Sequence, residues 1–428
     1  MYLLPKVARL RRALCPGVVP RRFRFTDTAG HVECRERPKN PFYDPYYENS
    51  VWGPRPRCLI GRKSQVTVAS GVGVGPELMR HVKRILLAAN APVDFENMSC
   101  NSNNGYEDMD NIIYSVERNG VAIKGNLEKR LEPLEISRNM QLRRSLDLFV
   151  QLIEIKSYPA LVEKMRCKHN VDVVIVRQNV EGEFALLEHH NGKGIENLKI
   201  TTEYNTRRLA EFAFQYAIKH KRRKVTVVYN KGFMNSSEGL FVNTISDVAE
   251  KYPDVTFTKQ SMRGFAFRMT DFNFNGDVLI TGVLYGGLIM YLMFGLMLPL
   301  HRQMAQGCSA DRNLGPRYAV FEPAVRHKGF KQMGKDIANP VSTLDCAVKM
   351  LHYLGHHEAA RRIERAIDLT INEDLVHTRD MLGVASTSTM VHNIERRIRE
   401  SMPVGYSDDE THPPPLPPTP PSVPPYKP

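Results

Sequence analysis

Short apolar, β-branched runs alternate with longer stretches of helical periodicity through most of the chain. Residues 66–69 (Val-Thr-Val-Ala), 171–176 and 224–229 predict strands. Residues 76–89 predict a helix, and from about Asn205 the positions of Leu209, Phe212, Tyr216 and Ala217 repeat at helical spacing. Residues 338–399 predict a helix-rich end to the body. Strand and helix in alternation point to an α/β fold, a sheet between helical layers.

One segment departs from the pattern. Residues 278–300 (VLITGVLYGGLIMYLMFGLMLPL) form 23 positions without a formal charge, long enough to span a bilayer. Gly282, Gly286 and Gly287 divide it into a strand-like and a helix-like part, so a strand, a turn and a buried helix are expected and no membrane span. Residues 1–25 are rich in Arg, hold no acid and set Leu3, Leu4, Val7, Leu10 and Leu14 on one helical face, the composition of a mitochondrial import segment; a basic disordered tail is the alternative. Residues 26–63 carry Pro41, Pro45, Pro54 and Pro56 among tyrosines and read as a linker. Ten prolines between Pro413 and Pro428 predict a polyproline II tail over 404–428.

The 428 residues are 42% hydrophobic and 25% charged, which suits two domains or one bilobal unit. The net charge is +13, but seven basic residues precede the first acid, Asp27, and account for more than half of it. The other cations are interspersed with acids and form no stripe with interleaved aromatics, so no nucleic-acid partner is expected. Seven widely spaced cysteines without a C-x-x-C pair suggest neither a disulfide framework nor a cysteine zinc site, and reducing surroundings are expected. The pairs His189–His190 and His356–His357 suggest no metal, because adjacent side chains diverge on strand and helix alike.

Ser70-Gly-Val-Gly-Val-Gly-Pro-Glu77 joins the first strand to its helix, with Pro76 suited to the first helical turn. It is not G-x-G-x-x-G, and by itself it reads as a structural turn. Three further segments follow in order: SRNMQLR at 137–143, RQNVEGEF at 177–184 followed by Glu188-His189, and GKDIANP at 334–340. With GPELMRHVK at 75–83 and TRDMLG at 378–383, the chain resembles the isocitrate and isopropylmalate dehydrogenase family from about Val66 to Arg399. Within that family it resembles the gamma-type regulatory subunits of the mitochondrial NAD-dependent enzyme. The resemblance implies a mixed-sheet large domain built from 64–148 and 298–403. It also implies a smaller dimer-forming domain over 149–297, with a clasp near 182–200.

A tricarboxylate is held by fixed cations and amide or hydroxyl donors, Arg meeting each carboxylate bidentately. Ser137, Asn139 and Arg143 match the family's substrate loop and Arg177 its clasp arginine, which implies a site for a citrate- or isocitrate-like anion. The second arginine of catalytic relatives is Ile153 here. Metal-assisted oxidative decarboxylation needs more. The family's metal aspartates fall at Arg263, Gly287 and Tyr291, its catalytic lysine at Asn230, its clasp tyrosine at Phe184, and the acid after Gly71 at Val72. A cation at a ligand position repels a metal ion, so neither magnesium nor manganese is expected. Glu181 and Glu183 are expected to hold the clasp. Asp336 and Asn339 match the family's adenine pocket, with His327 and Lys328 on the phosphate side, implying an adenine nucleotide, ADP or NAD. Retention of that loop for packing alone carries equal weight, and no cofactor is firmly indicated.

The expected protein is a non-catalytic regulatory or assembly subunit, or paralogue, of NAD-dependent isocitrate dehydrogenase. Its place is the mitochondrial matrix and the tricarboxylic acid cycle, and its partner is the catalytic subunit in a heterodimer or higher heteromer. The family shares its lysine and first metal aspartate across the dimer, so Asn230 and Arg263 imply a partner that is weak at the shared site. Two alternatives stand beside this: a divergent dehydrogenase using Lys231 and another metal arrangement, and a scaffold that keeps the fold and docks through its proline tail.

Overall fold

A computed structural model describes residues 63–98, 105–127, 137–164, 171–232, 234–270, 277–297, 309–324 and 328–402. The expected import segment, nearly all of the linker, the proline tail and His327 lie outside the described residues.

The first elements are β1 (Ser64–Ala69), α1 (Gly75–Ala88), β2 (Val93–Met98), α2 (Gly105–Asn119), β3 (Val121–Lys124) and α3 (Arg138–Ser145). There follow β4 (Val150–Lys156), α4 (Pro159–Lys164), β5 (Asp172–Gln178), the hairpin β6 (Gly182–His190) and β7 (Ile195–Ile200), and α5 (Glu203–Lys219). Next come β8 (Lys224–Tyr229), α6 (Asn235–Ala249), β9 (Thr256–Ser261), α7 (Met262–Thr270), β10 (Val278–Thr281) and α8 (Val283–Met297). The chain ends through β11 (Ala310–Leu314), β12 (Ala319–Pro323), α9 (Val341–Leu354), α10 (His357–Asn372) and α11 (Thr387–Glu400).

Ten strands form one mixed sheet in the order β2-β1-β3-β12-β11-β4-β5-β10-β8-β9. Its two wings are parallel, and the three central pairings, β12 with β11, β11 with β4 and β4 with β5, are antiparallel. The inner wing strands β3 and β10 are buried along their whole length, as expected of strands covered by helices on each side, whereas the edge strands β2 and β9 carry polar and exposed positions. Val173 to Val176 of β5 and all of β10 are buried. On α1, Leu78, Met79, Val82, Ile85 and Leu86 make one buried stripe at three- and four-residue spacing. Thr202 caps α5, its hydroxyl oxygen accepting the Asn205 N–H at 3.2 Å, a contact worth about 1 kcal/mol.

The charge-free segment folds as a strand, Gly282 and a helix, β10 and α8. Among the described residues no helix is long and apolar enough to cross a membrane. β6 and β7 form a separate two-stranded sheet at the expected clasp, and Leu186, Leu187, Ile195 and Leu198 are exposed on it. Glu181 anchors this hairpin to the start of α5, accepting the N–H (3.0 Å) and hydroxyl (2.5 Å) of Thr202 and the amide of Asn205. Glu183 lies 3.7 Å from Lys199 across the hairpin.

Candidate anion site and adjoining cleft

Because alternate residues of a strand share a face, the register of the central strands places a row of polar side chains side by side. Asn313 of β11 pairs with Gln151 of β4, Gln151 with Arg177 of β5, and Arg177 with Thr281 of β10. On the other side Asp311 of β11 stands opposite Glu322 of β12, and Lys124 of β3 reaches Glu322. All seven side chains are buried. Buried charge is tolerated when it is paired and hydrogen-bonded, and most of this row is. Glu322 accepts from Lys124, from Arg143 Nη2 at 3.0 Å and from Asn313 at 2.8 Å. Burial opposes its charge, but the Lys124 and Arg143 cations outweigh burial and hold the carboxyl below the usual range.

Two helices and the clasp close over this row. α3 supplies Arg143 and Asn139, and Asn139 accepts from Lys124 Nζ at 2.6 Å. Ser137 stands at the N-cap of the same helix. Arg177 donates to Gln151 Oε1 (2.6 Å) and to the Val283 carbonyl at the start of α8 (2.7 Å). A side chain at Gly286 would collide with Thr281 and Arg177, and at Gly287 a Cβ would lie 3.3 Å from Arg177 Nη2. The ring of Phe184 lies 5.8 Å from the guanidinium of Arg143 and 5.1 Å from that of Arg177. The structure thus brings together Asn139, Arg143, Arg177, Phe184 and Gly287, and Tyr291 feels the charges of Asp311 and Arg177. Asn230 donates to the Tyr285 hydroxyl of α8 at 3.0 Å, with neighbouring Lys231 exposed. Arg263 is exposed on α7.

Some hydrogen-bonding capacity in this cluster is unspent. Arg143 Nε and Nη1, Thr281 Oγ1 and Asp311 Oδ1 are buried and have no hydrogen-bond partner among the described residues. Burial and then the proximity of Arg143 lower the Arg177 guanidinium to about 10, which leaves it cationic at neutral pH. Burial and then Glu322 push the Asp311 carboxyl up to about 7, against the hydrogen bond from Gln151. Lys124, Gln151, Asp311, Asn313 and Glu322 were not singled out from the sequence. The signal for the last three is a strand pair, ADRNL and AVFEP, that carries charges in the middle of a sheet.

Beside this pocket a cleft opens between the glycine turn and the 328–340 loop, lined by Val74, Leu78, Asn126, Gln332, Ala338 and Asn339. Gly73 has φ of +68°, and a Cβ there would lie 1.7 Å from the Lys328 carbonyl oxygen, so the turn and the loop touch through backbone. The Val74 N–H donates to that same oxygen at 3.0 Å. Asn339 donates to Asp380 (2.8 Å) and accepts the Val341 N–H (2.9 Å) at the start of α9. Asp336 binds Ser388 at the start of α11. The apolar wall of Val74, Leu78 and Ala338 suits the face of a base, whereas the side chains of Asp336 and Asn339 serve helix starts.

The sequence profile of the isocitrate/isopropylmalate dehydrogenase family matches residues 65–394. The chain belongs to that family. It is 38% identical over 347 residues to "Isocitrate dehydrogenase [NAD] subunit gamma, mitochondrial" of Macaca fascicularis, covering 80% of this chain and 95% of the relative. It is 36% identical over 335 residues to the mitochondrial beta subunit of Bos taurus, covering 77% of this chain and 85% of that one. The crystal structure of isocitrate dehydrogenase from Methylococcus capsulatus superposes with a TM-score of 0.71 at 27% identity, over 78% of this chain and 99% of the other. The family fold implies a divalent metal, and the residues here do not fit it: Gly287 offers no side-chain ligand and lies against the Arg177 cation, and Tyr291 carries a phenol raised by burial and by Asp311. The nearest carboxylates, Asp311 and Glu322, are already bound to Gln151, Lys124 and Arg143.

Proposed function

We propose that this chain is a non-catalytic, gamma-like regulatory or assembly subunit of mitochondrial NAD-dependent isocitrate dehydrogenase, working in the matrix. The observation that carries the proposal is the pairing of what the pocket keeps with what it lacks. Arg143 and Arg177 remain, converging on Phe184 with buried donors of Arg143 unspent, which suits a citrate- or isocitrate-like anion. The positions the family uses for metal, lysine and tyrosine hold Arg263, Gly287, Tyr291, Asn230 and Phe184. The adjoining cleft is the place for an adenine nucleotide, ADP or NAD, held by its backbone rim and apolar wall.

The partner is the catalytic subunit of the same enzyme. Leu284, Leu288, Tyr291 and Leu292 are each about half exposed on one face of α8, at 51, 48, 54 and 49%. Exposed leucines and an isoleucine of the clasp extend this apolar surface in kind. A uniform stripe on a charge-free helix is a surface a soluble chain covers with a partner.

Calorimetric titration of the full chain with citrate, alongside an NADH assay with isocitrate, NAD and manganese, tests both halves. Citrate binding is expected, weakened about tenfold in Arg143→Lys, which keeps the charge on Glu322 and loses the planar fork. No NADH formation is expected from the isolated chain. Metal-dependent NADH formation would instead establish the divergent dehydrogenase, with Lys231 the first residue to test.

A further inference from the structure

Away from the anion pocket, one cluster joins three metal-ligating side chains that the proposed function does not use. Glu77 and His81 lie four residues apart on α1, hence on one face of the helix. Asp336 comes from the 328–340 loop, which packs back on that face. One ligand atom from each residue falls within 4.8 Å of the others, and all three residues are half-buried. We infer that Glu77, His81 and Asp336 form a binding site for a zinc-type divalent cation that clips the cleft-lining loop to helix α1.

The cluster is braced before any metal enters. The Gly334 N–H donates to Glu77 Oε2 at 3.1 Å, and the N–H and hydroxyl of Ser388 donate to Asp336 Oδ1 at 2.9 and 2.8 Å. The Thr387 N–H donates to the Asp336 carbonyl at 2.9 Å. Asp336 holds this position with φ of +52°, a left-handed backbone that a non-glycine residue adopts when its surroundings fix it. A carboxylate offers about four lone-pair sites, so both acids keep acceptor capacity beyond these bonds. One imidazole with two carboxylates is a nitrogen-and-oxygen set that selects zinc, cobalt or nickel over magnesium, which prefers an oxygen octahedron rich in water. Three protein ligands leave a fourth position for water, as in open zinc sites. Ligand atoms of a tetrahedral zinc site lie roughly 3.3 Å apart, so small side-chain rotations complete the geometry.

The clip has a defined consequence. Gln332, Ala338 and Asn339 line the cleft, and the loop that carries them is fastened to α1 through Glu77 and Gly334. A cation shared by α1 and Asp336 adds a second fastening. This site is separate from the family's metal positions, and the inference does not depend on the chain's being a regulatory subunit.

The full chain, stripped with chelator, is titrated with zinc in excess magnesium and its metal content measured after desalting. One zinc per chain is expected, with affinity falling at least tenfold in His81→Ala and in Glu77→Gln. Cobalt is expected to give a visible absorption band that both variants lose. His81→Ala on an amphipathic helix favours folding, and Glu77→Gln keeps the Gly334 acceptor, so circular dichroism and melting in chelator should match the parent. Zinc binding that survives both variants, for instance at the exposed His189–His190 pair, would overturn the inference. So would the absence of stoichiometric zinc in the parent chain.

Discussion

Asp311 offers the sharpest test of the buried polar row. It lies on a central strand, fully buried, opposite Glu322, and its carboxyl is pushed from the ordinary 3.8 up to about 7. Between those two values the folded chain holds a proton that the unfolded chain has released, so stability falls as pH rises through that window and the loss is complete above pH 7. Each pKa unit is about 1.4 kcal/mol, so the full effect is about 4 kcal/mol, of which about 2 kcal/mol appears between pH 5.5 and pH 8. Asp311→Asn is nearly isosteric and keeps a carbonyl acceptor for Gln151. Urea unfolding of parent and variant at pH 5.5, 7 and 8 is expected to show the variant gaining about 2 kcal/mol relative to the parent across that range. Citrate bound next to Arg143 and Arg177 should also favour the neutral acid. Calorimetry in two buffers of different ionisation heat should then show proton uptake near pH 7.5 in the parent and none in the variant. Parallel stability curves for the two proteins would refute the placement of a titrating acid in this row.

Three further outcomes follow from particular contacts. Gly73→Ala sets a Cβ 1.7 Å from the Lys328 carbonyl oxygen at a positive φ, so a loss above about 2 kcal/mol is expected by thermal unfolding, with weaker ADP binding. Glu181→Ala removes the acceptor for three donors at the root of the clasp, and a loss of about 2–3 kcal/mol with faster proteolysis of the hairpin is expected. Leu288→Arg in the exposed face of α8 should leave circular dichroism and melting unchanged and abolish co-purification with the catalytic subunit; retained assembly would remove α8 from the interface.

Much of the fold was legible in the pattern of apolar positions. Residues 224–229 form β8 as expected, the helix over 76–89 appears as Gly75–Ala88, and Gly282 separates a strand from a helix in 278–300, whereas Gly286 and Gly287 lie inside α8 and the helix expected to be buried has a half-exposed face. Periodicity could not supply the strand order, because β11 and β12 come from the late part of the chain and join β4 to β3 through pairings some 160 to 200 residues apart. The site was legible where arginines sit in recognisable motifs, at Arg143 and Arg177. It was illegible where the grouping of side chains depends on strand register. Lys124, Asp311 and Glu322 are ordinary charges in sequence, and pairing across the sheet makes them one buried network. Asp336 shows the same limit: its motif suggests a base pocket, whereas its side chain faces Ser388 and the Glu77–His81 face of α1.

The proposed subunit role requires that this chain assemble with a catalytic partner. Co-expression of the full chain with the catalytic subunit of mitochondrial NAD-dependent isocitrate dehydrogenase, followed by native mass measurement of what co-purifies, tests it directly. A stable heteromer is expected, with low NADH output where Asn230 and Arg263 face the shared site. Two separate species, each free of the other, would contradict the subunit role.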